Sequence, residues 1–189
     1  MVDTQRGLPA ILAAAALVRA GGAGSAEAAG ALERALKDGP TADRLRAIEL
    51  VPFDAPPLRE ALARTEADPD QEVAAAAMGR RLQAPAKEGG APARSPAREA
   101  IVAKLLPIAS GTGLGVSVAR AALARAGAQQ IVPMLERDGI APNAKTRAEA
   151  GSTLALLGDF GRAAVVAADL DPYVRTTVSC AILHAWAAR

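Results

Sequence analysis

Four carboxylates raise the first chemical question. Asp68-Pro69-Asp70 and Asp169-Leu170-Asp171 both read D-x-D. Carboxylates so close together can share Ca²⁺ or Mg²⁺, but neither run lies in a twelve-residue loop closed by a glutamate. An aspartate just ahead of an apolar helical run also caps free backbone N–H groups, and that role is expected here. Pro172, directly after Asp171, suits a first helical position, where a missing N–H costs nothing. Cys180 and His184 stand four residues apart and so share a helix face. They offer two metal ligands where zinc takes three or four, and no C-x-x-C or second histidine completes a set. As a nucleophile pair they lack a third orienting group and oxyanion donors. Cys180 is the single cysteine, so no internal disulfide forms. It is expected as a small buried residue. The run Ser110-Gly111-Thr112-Gly113-Leu114-Gly115-Val116 precedes a helix and could turn N–H groups toward a phosphate. It lacks the lysine of G-x-x-x-x-G-K-[ST], and no strand precedes it as the dinucleotide fingerprint requires. An inter-helix turn is the expectation.

Arg44, Arg46, Arg80, Arg81, Arg120, Arg125, Arg147 and Arg175 recur near expected helix ends. Such a set could line a groove for an acidic partner or a nucleic-acid backbone. The chain has one Trp, one Tyr and two Phe, so stacking platforms for bases are nearly lacking. Net charge is +2 with no run of five Lys or Arg, which argues against nucleic acid and anionic membranes as partners. The arginines are expected as solvated faces and bridges between helices. Arg120, Arg147, Arg175, Tyr173 and Trp186 form the candidate partner surface. No catalytic residue, metal ligand or cofactor site is assigned.

The elements that position these residues follow from composition. Apolar residues are 51% of the chain and aromatics 2%, because alanine supplies most of the apolar share. Alanine is the best helix former, and strand-forming runs are scarce. The fold class is all-α. Helices are expected over 8–20, 26–37, 42–51, 58–66, 71–82, 97–110, 116–126 and 128–137. Ser25 and Thr41 read as caps, and Pro107 as a kink or early stop. In the last third Thr146 reads as a cap. Ala150, Thr153, Leu154 and Leu157 share a face, Gly158 ends that helix, and 162–168 forms a short helix with Val165 and Val166 apolar. Val174, Val178, Ala181, Ile182 and Ala185 carry the face of the helix opened by Pro172. Residues 83–96 (QAPAKEGGAPARSP) are expected as a mobile loop inside a single domain, 1–189. Residues 1–26 make a poor secretion signal, since Asp3 lies ahead of the apolar stretch and Arg19 interrupts it. A cytoplasmic location is expected, secretion being the lesser alternative. The stretch is also too short to span a membrane.

Two stretches superpose. Asp68, Asp70, Val73 and Leu82 match Asp169, Asp171, Val174 and Leu183 at an offset of 101 residues, or three units of about 34. The pattern Asp169-Leu170-Asp171-Pro172-Tyr173-Val174-Arg175, following Leu156-Leu157-Gly158-Asp159, resembles HEAT repeats, in particular the short phycobilin-lyase-like kind. The resemblance implies that Asp169 and Asp171 brace the turn, that Val174 packs inward and that Arg175 braces a neighbouring repeat. Ala74 stands where the earlier copy should carry that arginine. Ser117-Val118-Ala119-Arg120 and Asn143-Ala144-Lys145-Thr146-Arg147 match more loosely. The implied architecture is a right-handed α-solenoid of about five HEAT-like helix pairs. The implied role is a non-enzymatic scaffold or adaptor for another protein, with end-to-end self-association as one mode. Two alternatives stand beside it: a chromophore-lyase-like or chaperone-like subunit, and a phosphate or nucleic-acid backbone binder through the repeat arginines. HEAT-like DNA glycosylases have such a groove, but they also need aromatic and acidic residues at the damaged base, and aromatics are scarce here. Gly111-Thr112-Gly113-Leu114-Gly115 resembles the glycine box of sensor histidine kinase ATPase domains. The asparagine helix and the Asp-x-Gly-x-Gly loop of those domains are not found.

Overall fold

The computed structural model describes residues 7–84 and 95–188. Among these the chain is all-helical, with eleven α-helices, one 3₁₀ turn and no strand. The expected loop 83–96 lies mostly outside the described residues. The chain forms two compact units, Met1–Arg98 and Glu99–Arg189.

The first unit holds α1 (Leu8–Ala20), α2 (Ser25–Asp38), α3 (Thr41–Leu50), α4 (Pro56–Thr65) and α5 (Gln71–Leu82). α2 packs on α1, α3 and α4, and α5 packs on α3 and α4. Ile11, Leu32, Leu36, Ile48, Val51, Leu58, Leu62 and Val73 form its core. Alanines 14, 15, 28, 47, 61 and 77 fill the spaces between them. Small side chains let the helix axes approach, so each large residue touches several neighbours.

The second unit holds most of α6 (Pro96–Ser110), then α7 (Gly115–Arg125), a 3₁₀ turn at Gln129–Ile131, α8 (Val132–Gly139), α9 (Ala144–Leu157), α10 (Phe160–Ala167) and α11 (Pro172–Ala187). α9 is its hub, with α7, α8, α10 and α11 packed against it. Its buried residues are Ala148, Ala150, Gly151, Thr153, Leu154, Ala155 and Leu157. A helix packed by four others needs apolar or small residues round most of its surface, and on α9 only Lys145, Glu149 and Leu156 are exposed.

The helix ends depart from expectation at several points. Asn143, not Thr146, caps α9. Its Oδ1 accepts from Lys145 N at 2.8 Å, and its backbone is extended, so the helix begins three residues earlier. Thr41 lies inside α3, and its hydroxyl donates to Asp70 instead. Ser25 likewise lies inside α2, which Gly24 precedes with φ of 91°. Pro107 neither ends nor splits α6. It falls in the last turn, where only one helical hydrogen bond is lost. Val165 is exposed, and Ala163 carries the burial of α10. Cys180, expected inside, is exposed. α11 turns Val174 and Val178 inward, and Cys180 lies about 200° round the helix from Val178. None of the helices is long and apolar enough to cross a membrane among the described residues.

Candidate partner-binding surface

The two D-x-D turns have the same construction. Asp68 Oδ1 accepts from Asp70 N at 2.9 Å, and Asp70 Oδ1 accepts from Glu72 N at 3.0 Å. Asp169 Oδ1 accepts from Asp171 N at 2.8 Å, and Asp171 Oδ1 accepts from Tyr173 N at 2.8 Å. The first aspartate closes the turn and the second caps the helix. The first also receives an arginine from an earlier helix. Arg44 Nη1 lies 2.5 Å from Asp68 Oδ2, and Arg147 Nε lies 2.6 Å from Asp169 Oδ2. Arg147 Nη2 donates to the other carboxylate oxygen at 3.1 Å, so the contact is two-pronged. These hydrogen bonds from Arg147, with the backbone N–H of Asp171, hold the Asp169 carboxyl below its usual range.

Most of the arginines that might have formed a basic groove are engaged. Arg120 Nε donates to the Ala109 carbonyl at 2.9 Å, and its Nη1 lies 2.5 Å from Asp138. Burial pushes the Asp138 carboxyl up, but hydrogen bonds and charge from Arg137 and Arg120 outweigh it and leave the group lowered. Arg80 donates to the Val51 carbonyl at 2.8 Å and lies over the Phe53 ring at 4.1 Å from its centre. Arg81 pairs with Glu66, and Arg46 with Glu49 at 2.6 Å. A bridge not foreseen joins Arg162 to Glu136 and Asp159, each at 2.6 Å. Twenty-six residues separate Arg162 from Glu136, and no local pattern links them.

Of the five candidate surface residues, Arg120 and Arg147 are therefore braces with their side chains largely covered. Arg175, Tyr173 and Trp186 are exposed on α11. Arg175 and Trp186 stand close together round the helix, while Tyr173 lies on a different edge. Trp186 is 69% exposed, with one side of its ring tilted against Phe160 at 5.6 Å between centres. Leu170 and Leu183, which sequence reasoning had not singled out as surface residues, are 95% and 69% exposed. Leu183 follows Ser179 by four residues on the same outer stripe.

The glycine run 110–116 forms the turn between α6 and α7, with Gly113 at φ of 121°. The start of α7 has no side-chain cap. Arg120, one turn further on, is directed at Ala109 and Asp138 rather than at the glycines. A shallow, open depression lies beside the α9–α10 turn, lined by Gln129, Leu157, Gly158, Asp159, Phe160 and Gly161. Cys180 and His184 are both exposed. Among the described residues no three His, Cys, Asp or Glu side chains gather where they could hold a metal ion. Comparison with protein-family models, with curated proteins and with solved structures gives no match.

Proposed function

We propose that this chain is a non-enzymatic helical adaptor that holds another protein on the surface of its second unit. The observation that carries the reading is the apolar exterior of the terminal hairpin. Val165, Leu170, Tyr173, Leu183 and Trp186 are all well exposed on α10, α11 and the turn between them. Five large apolar side chains left in water on one helical hairpin favour an interaction role for it. The pairing of Arg44, Arg46, Arg81, Arg120 and Arg147 with carboxylates supports the reading too, because it takes these arginines out of a groove for a nucleic-acid backbone.

In this reading each unit is a short stack of HEAT-like helix pairs. The recurrence of the arginine–aspartate brace in both units supports it. The spacing is tighter than three units of 34 residues would give, with the caps Asn143 and Asp171 standing 28 residues apart. A cytoplasmic location belongs to the same reading. It is supported by the burial of Ile11, Ala14 and Ala15, which gives the first apolar stretch a place in a core.

The test is site-specific photo-crosslinking in the native source. A crosslinker at Leu183 should capture one defined protein in stoichiometric yield, and one at Arg34 on α2 should not. Equal capture of many proteins from both positions, or none from Leu183, overturns the adaptor reading.

A further inference from the structure

Arg147 and Arg175 are anchored in the same way. Arg147 Nη1 donates to the carbonyls of Ala141 and Pro142, six and five residues earlier, both at 2.9 Å. That anchor leaves Nε and Nη2 to grip the Asp169 carboxylate. Arg175, 28 residues on, donates through Nη1 to the carbonyls of Asp169 and Leu170 at 3.0 and 2.7 Å. These too are six and five residues earlier. Among the described residues, no carboxylate lies within ion-pair distance of Arg175. Its charge reaches the Asp169 carboxylate, which Arg147 already grips, so it holds the pose of Arg147 with no carboxylate bonded to it.

The helix face beside Arg175 repeats the correspondence. Aligning Arg147 with Arg175 places Ala148, Gly151 and Ala155 on Thr176, Ser179 and Leu183. The first three are buried on α9, with Gly151 against Val178 of α11, and the second three are exposed on α11. Greater bulk on the receiving face does not prevent the brace. In the first unit Leu45 and Ile48 stand where α9 has Ala148 and Gly151, and Arg44 still reaches Asp68 at 2.5 Å. There the incoming helix carries Ala77 nine residues after its aspartate, where α11 carries Val178. A larger receiving residue is matched by a smaller incoming one, which keeps the packed volume similar.

We propose that the outer face of α11, from Arg175 to Leu183, receives a helix of the partner protein. That helix enters through an aspartate-bearing turn and carries a small residue nine positions after the aspartate. Arg175 takes the carboxylate two-pronged, as Arg147 takes Asp169, and Thr176, Ser179 and Leu183 take the apolar side of the helix. This assignment deepens the adaptor reading and rests on it.

Residues 51–83 of this chain have the required chemistry: Asp68, Ala77 and the connecting loop Val51–Ala55. Appended to the C-terminus of the full chain, they supply the occupant at high local concentration. Cys180 lies on the face in question and is the reporter. The appended copy should slow the reaction of Cys180 with a disulfide reagent by about tenfold or more, through protection of a free thiol. Arg175→Gln should restore the parent rate, as should an asparagine in place of the aspartate at position 68 of the appended copy. An unchanged Cys180 rate overturns the proposal, whether or not the added helices fold. So does protection that neither substitution moves. The native partner takes no part in this measurement, so its failure is distinct from a failure of the crosslinking test.

Discussion

Val178 of α11 lies against the bare Cα of Gly151 on α9. A Cβ at that position would come 2.6 Å from one Val178 methyl, and 2.9 Å from the other and from a Val166 methyl. Gly151 is helical, so close approach is what requires the glycine here. Gly151→Ala should cost about 1–3 kcal/mol through overpacking. Urea unfolding followed by circular dichroism measures it. Adding Val178→Ala should recover part of the loss, whereas additive losses would place the two residues apart.

Val174 is fully buried at the start of α11. Val174→Asp should destabilise the second unit by about 3 kcal/mol or more, because a lone carboxylate would have to leave water. Unchanged helicity and melting would contradict the assignment of that face.

Asp171 caps α11 without touching the core. Removing the acceptor in Asp171→Ala should cost about 1 kcal/mol. Asp171→Asn should cost much less, because an amide oxygen still accepts from Tyr173 N. Equal losses for the two variants would show that charge, not the capping bond, is what matters.

Asp70, Asp138, Asp159 and Asp169 all have carboxyls lowered from the ordinary value of 3.8. The causes differ: a hydrogen bond from Thr41 leads at Asp70, and the Arg162 backbone N–H leads at Asp159. A folded pKa below the unfolded one means that the native state binds fewer protons. The stability this confers is fully present above the unfolded pKa and is lost as pH falls through the folded value. Resistance to urea should therefore hold near neutrality and decline below about pH 4. Asp169→Asn should flatten part of that decline. An identical pH profile for the variant would remove Asp169 from the set.

Cys180 should react fully with a thiol reagent in the native protein, without denaturant, because it is exposed. A reaction that begins only on unfolding would return it to the core.

The local parts of this fold are written in short stretches of sequence. The caps at Asp70 and Asp171, the stop at Gly158 and the inward stripe Ala150, Thr153, Leu154 and Leu157 all depend on residues within about four positions of one another. Capping and helical periodicity act over that range. The rule weakens where two suitable caps compete: Asn143 lies three residues before Thr146, and the helix takes the earlier one.

What lay beyond such reading was the choice of partners. Arg44 meets Asp68 and Arg147 meets Asp169 across 24 and 22 residues, with another helix between them in each case. Nothing local marks the two ends. The same is true of exposure: Cys180 and Val178 are neighbours in sequence and opposites in burial. Sequence by itself determined an all-α chain, its helix breaks and the form of its D-x-D turns, since these are satisfied within a few residues. The tertiary structure decided which arginines are engaged, that α9 is the hub, and that the outer face of α11 stays open. Those outcomes depend on how closely small-residue helices pack, a property of pairs of helices and not of either one alone.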